Sequence, residues 1–576
     1  MSEGGSSHDD CHYILNNSAT ISSTFYPLPE VTVILWGVFV ERVNPLSKIV
    51  HVPTLQPAME KAASNMQKVP SGFQALMFAI CSMAVVSLTD DECKDMLGEA
   101  RTLMHKRYVA ATKTALTRAK FMGTTSIVVL QALLLHVLSI RATDDARAVW
   151  SLTGAMTRIA EGMGLGIDGT LLNISPFEVE IRRRIWWQIK MHDFRASELC
   201  GQAKFRTFVV DETTPKLPLN VNDSDLYPAM TQAPIESTKP TEMLMCVLRA
   251  DLANFAAAVM NKVRKQGSVG FTSEEYTAMD DLKRKDDFIK ELENMLETKY
   301  LRFCDPSQPL QFLTLIGGRF ALNIVRFVSH HPRRWANMEH VPASEQKFVW
   351  GVVLQILEQQ NMMQSSPQLH HFAWNAAYFV QWHAFIHILD TLRAQPFHSD
   401  AEKAWQSIEI LYKNNADLLI STDKPIFLAV SNLCLRAFSA RVDAQAQHNR
   451  TASRVPDYII ALQNQREKAK ARRKAALVKT MKRKTRDREE TMPMSVKITD
   501  IQLESGQETE PQQASTHSVQ DASWMGDDAF WLNDGTGTGE AMETDLDFIL
   551  AQDFGPDAPS DTAIDWEQWD FWFGQR

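Results

Sequence analysis

Three consecutive arginines, Arg182, Arg183 and Arg184, followed by Trp186 and Trp187, are the densest chemical signal in the chain. Guanidinium groups bind phosphates and carboxylates, while indoles stack on cations or anchor a core. Adjacent positions span much of a helix circumference, so the three arginines cannot form one flat phosphate-binding stripe. The other candidates are the acid runs Asp90-Asp91-Glu92 and Asp280-Asp281 and the pairs His330-His331 and His370-His371. A magnesium–diphosphate site of the terpene-cyclase type needs acids on facing helices around one apolar cavity, with a second metal motif downstream. Asp90-Asp91 fits a helix start after Ser87-Leu88-Thr89 better, because acids are favoured there. Adjacent histidines on a helix diverge and chelate poorly. Gly-rich phosphate loops, a Gly-x-Ser-x-Gly elbow and His-Glu-x-x-His are all missing from the sequence. No catalytic and no metal-ligating residues are therefore expected; an all-α enzyme and a pure interaction scaffold stand as alternative readings.

The elements around the arginines are legible. Ser175 is an N-cap, Pro176 suits the first helical position, and Glu178 falls where a capping-box carboxylate would reach back. Phe177, Ile181, Ile185 and Ile189 recur every four residues on one apolar face. Glu178 with Arg182 and Glu180 with Arg184 are i,i+4 pairs in the favourable order. Gly201 supplies a stop, and a polar loop with Leu217-Pro218-Leu219-Asn220 and Asp223 follows. Upstream, helices are expected over 73–86 (central and apolar), 91–106, 108–121, 126–139 and 149–163. Downstream, they are expected over 243–263, 273–299, 310–329, 345–364, 372–393, 401–420 and 425–441. No useful period-2 pattern appears. The fold class is all-α, a large multi-helix array or irregular bundle.

Across 576 residues the composition is 45% hydrophobic and 22% charged, ordinary for a core-forming chain. The net charge of −9 conceals a split. Residues 466–490 hold about twelve Lys or Arg against about four acids, whereas 491–576 hold about eighteen acids against about two basic residues. The first 465 residues are close to neutral. The 7 cysteines are scattered without a CxxC pair, as in a reducing compartment. No signal peptide is evident, residues 31–40 are too short to span a bilayer, and Gln131 and His136 interrupt 127–140. No membrane partner is expected.

The two ends are unlike the body. Residues 1–24 are polar and Ser-rich, the composition of a disordered N-terminus. Residues 456–490 read as an exposed basic helix with two clusters, Arg472-Arg473-Lys474 and Lys482-Arg483-Lys484, spaced as in a bipartite nuclear-import signal. A zipper-type DNA reader would need a leucine heptad next, but Pro493 and Pro511 break the polar sequence there. Residues 491–576 interleave acids with Phe530, Trp531, Phe548, Trp566, Trp569, Phe571 and Trp572. Acids keep such rings solvated, the composition of a disordered activation segment that folds against a coactivator groove.

As a string, 175–228 resembles the middle homology region of fungal zinc-cluster transcription factors. Arg182, Arg183, Arg184, Trp186, Trp187, Asp193, Gly201, Leu217, Pro218, Asn220, Asp223 and Asp225 carry that likeness. A second patch, from Trp36 through Asn44-Pro45 to His51-Val52-Pro53-Thr54, is similar to the same domain's opening; His51 itself suits a structural hydrogen bond. The likeness covers roughly residues 30–440 and departs at Gly164-Leu165-Gly166-Ile167-Asp168-Gly169, where that family has a His and an Arg. It implies a regulatory body over 25–445 and a nuclear regulator, most simply an activator, of a dedicated gene set such as a secondary-metabolite cluster. Such factors read DNA through a six-cysteine zinc cluster, whose spaced thiolates this sequence does not offer. Zinc is thus expected only if such a cluster precedes this chain, and direct DNA contact would depend on that cluster. Importin, a coactivator and a second copy of the chain are the partners implied.

Overall fold

A computed structural model describes residues 21–200, 212–265, 279–331, 341–422, 424–448 and 454–490. The described residues are helices, turns and loops, with no strand among them. Packing divides the chain into two units: residues up to 419 with 433–458, and 420–432 with 459–490.

In the first unit, α1 (Pro29–Val38) and α2 (Val52–Ala63) lead into α3 (Ser71–Ser87). Then come α4 (Asp90–Leu97), α5 (Arg101–Arg118), α6 (Ile127–Ile140), α7 (Ala146–Gly162) and α8 (Pro176–Leu199). Helix α3 packs against α1, α5 and α6, and α8 packs along α7. Every residue of α3 from Gln74 to Val85 is buried, as is every residue of α6 from Val129 to Ile140. A helix that is apolar all round must be enclosed on all sides, which places these two at the centre of the first core cluster. Gln131, buried on α6, donates from Nε2 to the Ile49 carbonyl at 2.6 Å. Burial lowers His136 to about 3, which keeps its imidazole neutral.

The chain continues through α9 (Leu244–Lys265), α10 (Met279–Lys299), α11 (Pro309–His330) and α12 (Ala343–Ser365). After these come α13 (Trp382–Ala394) and α14 (Ala401–Asn414). Among the described helices α11 alone is long and apolar enough to cross a bilayer by length and composition, but it packs against α9, α10 and α12. Helices α15 (Pro425–Gln447) and α16 (Asp457–Glu490) each run through a division point between units. Within the second unit Ile459, Leu462 and Gln465 are buried, and Gln465 Nε2 donates to the Ser421 carbonyl at 2.6 Å.

Three expected helices are broken. The one expected over 91–106 ends at Gly98, whose φ of 73° makes a left-handed cap with its N–H on the Lys94 carbonyl. A new start at Ala100 then carries α5 to Arg118, absorbing most of the helix expected at 108–121. The expected 372–393 helix is a 3-10 turn (Pro367–Phe372) and two short turns, and only Trp382 opens α13. Arg195 takes the carbonyls of Tyr378 and Val380, which a continuous helix would use itself. Near 415, the Asn415 side chain donates to the Leu411 carbonyl and to Gln364, ending α14 early. The tight turn at Gly98 is testable: Gly98→Ala should lower stability by about 1 kcal/mol, read from urea unfolding. Gly123→Ala, where an added methyl meets nothing within 4 Å, should be near neutral; equal losses would contradict the turn.

Candidate functional site

The arginine run lies on α8, where Ser175 Oγ accepts from the Glu178 N–H. Glu178 does not close a capping box by turning back; its carboxylate points forward and accepts from Arg182. Each arginine serves a different neighbour. Arg182 Nη1 donates to the Met163 carbonyl at 3.0 Å, satisfying the C-terminus of α7. Arg183 makes a two-pronged pair with Asp168, Nε to Oδ2 at 2.8 Å and Nη2 to Oδ1 at 2.9 Å. Arg184 donates from Nε to Glu180 at 2.9 Å and from Nη1 to Asp223 at 2.6 Å.

Around Arg184 the pairs join into one buried network. Lys48 Nζ is 3.0 Å from Asp223 and 2.6 Å from Glu242, and its side chain is 1% exposed. Lys48 holds a left-handed backbone (φ 48°) at the end of the turn Asn44–Ser47, the geometry that aims it inward. Glu180 also accepts the Leu219 N–H, and Glu242 accepts the Asp223 N–H. His51 Nε2 donates to the Asp223 carbonyl at 2.9 Å, and Nδ1 is 3.1 Å from Thr54 Oγ1. Three segments therefore meet: the turn after α1, α8, and the 212–243 loop that leads into α9.

The loop is fastened at further points. Asn220 Nδ2 donates to the Ser237 and Lys239 carbonyls, and its Oδ1 accepts from Thr241. Pro218 is buried, Asp225 accepts the Asn222 N–H, and Trp187 Nε1 donates to the Lys216 carbonyl at 2.9 Å. Trp186 presses on Gly166, where a Cβ would sit 3.3 Å from the ring, and Lys190 Nζ lies 5.4 Å from that ring's centroid. Asp193 is partly buried on α8.

The charges shift accordingly. Burial would raise Asp168, but Arg183, the Thr170 hydroxyl and the Lys216 and Thr170 amides outweigh it, leaving the carboxyl below its ordinary range. Asp223 behaves likewise: burial pushes it up, and Lys48 with Arg184 bring it lower overall. For Glu180 burial prevails over Arg184, and its carboxyl is raised. These carboxylates are occupied by cations and amides, so none stands ready as a base.

Sequence reasoning overlooked Asp168, Lys48 and Glu242. Asp168 stands in the run that departs from the resembled family, and the Asp–Gly step at a turn was its only local signal. Lys48 and Glu242 lie far from α8 in sequence, and nothing local announces their partners.

The other candidates are placed as follows. Glu92 closes a capping box with Thr89 and pairs with Arg42, which with smaller contributions brings its carboxyl to about 2. His330 lies 3.1 Å from Glu345, and His371 lies 3.1 Å from Glu41. Arg472 and Lys474 are exposed on α16, and Arg473, Lys482, Arg483 and Lys484 lie along the same helix. Gly201 and the aromatic residues Phe530, Trp531, Phe548, Trp566, Trp569, Phe571 and Trp572 lie outside the described residues. Among the described residues no group of three or more His, Cys, Asp or Glu could hold a metal ion. The described cysteines do not fit a zinc cluster: four are buried in the interior, and burial pushes Cys81 and Cys434 up to about 12.

Comparison with known proteins places the arginine helix and its loop inside a recognised domain. Residues 36–298 match the fungal specific transcription factor domain, and the chain carries that domain. The chain is 34% identical over 439 residues to the aurofusarin cluster transcription factor aurR2 of Gibberella zeae, covering 76% of this chain and 64% of that protein. It is 38% identical over 235 residues to the pyriculol/pyriculariol biosynthesis cluster transcription factor 1 of Pyricularia oryzae, 41% of this chain and 31% of that one. Against the C6 finger domain transcription factor adaR of Aspergillus niger it is 28% identical over 423 residues, 69% and 52% of the two chains. The chain thus spans less than two thirds of the length of each.

The Arg183–Asp168 pair yields a pH prediction. A carboxyl depressed in the folded state adds stability above its unfolded value of about 3.9, and that stability is lost as pH falls through the depressed value. Asp168→Asn should therefore cost about 3 kcal/mol at pH 7, by leaving Arg183 unpaired. The deficit should narrow in urea unfolding at about pH 3. A deficit independent of pH would contradict the ionic role.

Proposed function

We propose that this chain is a nuclear regulator, an activator, of a fungal biosynthetic gene set, and has no catalytic step of its own. The observation that carries the reading is the domain match over 36–298, together with the 439-residue likeness to a pathway factor. Residues 25–445 serve as the regulatory body, with 1–24 a polar leader; 456–490 is the basic helix whose clusters at 472–474 and 482–484 engage importin. Residues 491–576 form the activation tail. Its rings (Phe530, Trp531, Phe548, Trp566, Trp569, Phe571 and Trp572) are kept solvated by acids until a coactivator groove takes them. The motif residues of α8 and its loop (Arg182, Arg183, Arg184, Trp186, Trp187, Asp193, Pro218, Asn220 and Asp223) have a structural role, holding the body together rather than touching DNA. Zinc and direct DNA reading belong to a cysteine cluster of the kind named in the finger-domain relatives. A homodimer would present two such bodies to one promoter.

A reporter assay with residues 515–576 fused to a foreign DNA-binding module tests this. The fusion should activate, and Trp566, Trp569 and Trp572 replaced together by Ala should cut output several-fold. A silent fusion would overturn the activator assignment, and unchanged output from the triple variant would overturn the ring-contact mechanism.

A further inference from the structure

Elsewhere in this fold a buried arginine is met by acid: Arg42 by Glu92, Arg183 by Asp168, and Arg184 by Glu180 and Asp223. Among the described residues Arg141 and Arg249 break that pattern. Arg141 after α6, Arg195 on α8 and Arg249 on α9 converge on the Phe379 ring, their guanidinium carbons 5.9, 5.7 and 5.7 Å from its centroid. Arg141 lies 4.1 Å from the Tyr378 centroid and Arg195 lies 5.7 Å from it. Arg141 and Arg249 donate to uncharged acceptors, Arg141 Nη2 to Asn375 Oδ1 at 2.7 Å and Arg249 Nη1 to the Leu46 carbonyl at 3.2 Å, and Arg195 Nη2 reaches the Tyr378 and Val380 carbonyls.

Among the described residues no carboxylate pairs with Arg141 or Arg249. His192, 3% exposed, stacks on Tyr378 at 6.1 Å, and its Nε2 is buried without a protein partner. Burial first, and then Arg249 and Arg195, brings Arg141 down to about 10, and burial lowers Arg249 as well. Like charges gathered in a partly desolvated place are unfavourable unless something of opposite sign joins them. Aromatic faces offset a cation only weakly. Arg141 and Arg249 are each half-buried as whole residues.

We propose that Arg141, Arg249 and the Nε2 edge of His192 form a binding site for a small molecule bearing a compact oxyanion, a carboxylate or a phosphate. Two guanidinium groups offer the planar donor pairs that such oxyanions accept. The Trp374, Tyr378 and Phe379 rings wall the cluster, so the charge would be read in a setting of low polarity, where it counts for more than in water. The site uses other side chains than the Arg184 network, and its existence does not depend on the transcriptional reading.

Thermal unfolding of the full chain in sodium phosphate and in sodium benzoate, each against sodium chloride at matched ionic strength, tests it. At least one oxyanion should raise Tm by about 2 °C or more over chloride. A larger effect from phosphate marks a phosphoryl ligand, and one from benzoate marks an organic carboxylate. The double variant Arg141→Gln/Arg249→Gln should lose the shift. Arg249→Lys, which keeps the charge without the planar fork, should weaken binding about tenfold in calorimetric titration. If the double variant does not fold, the Arg249→Lys titration decides. Identical Tm in all three salts, an undiminished shift in the double variant, or unchanged affinity in Arg249→Lys would overturn the assignment.

Discussion

Burying Arg183 and Arg184 is the constraint from which the rest of the first unit follows. A guanidinium removed from water must find carboxylates at hydrogen-bonding distance, and α8 itself supplies only Glu180 to Arg184. The remaining acids come from elsewhere: Asp168 from the turn after α7 and Asp223 from the loop after α8. Asp223 then brings in Lys48, and Lys48 brings in Glu242 at the approach to α9. Once two arginines are fixed inside, the register of four chain segments is fixed with them. Such a network adds little to stability over a well-packed apolar equivalent, but it tolerates no missing partner. Its value here lies in specifying one arrangement of the loop and helices.

That arrangement also decides where the charge on α8 goes. Arg182, Arg183 and Arg184 point to three different neighbours, so their charge is spent internally and no phosphate-binding stripe remains on α8. Glu92, the acid of most interest to an enzymatic reading, is taken by Arg42 and by the cap of α4. Arg141 and Arg249 differ, because among the described residues their donors meet rings, an amide and a carbonyl.

Much of the fold was legible because the local signals were strong. The all-apolar runs of α3 and α6, the Ser175 start of α8 and the Thr89-to-Glu92 box all state their structure within a few residues. The failures came where tertiary demands overrode the local pattern. The helix expected over 372–393 gives way because Arg195 claims two of its carbonyls. Asp168 drew no reading from the sequence, yet it is the acid that makes Arg183 tolerable inside. Long-range partners such as Lys48, 175 residues from Asp223, leave no trace in a periodicity.

Hydrogen–deuterium exchange of the full chain, comparing the unmodified protein with Glu180→Gln, tests the central claim most directly. Removing that carboxylate should speed exchange across 212–243, whose Leu219 N–H it accepts, while peptides of α3 and α6 keep their protection. Unchanged exchange in 212–243, or equal acceleration in α3 and α6, would contradict the claim that buried charge pairs set the register of this loop.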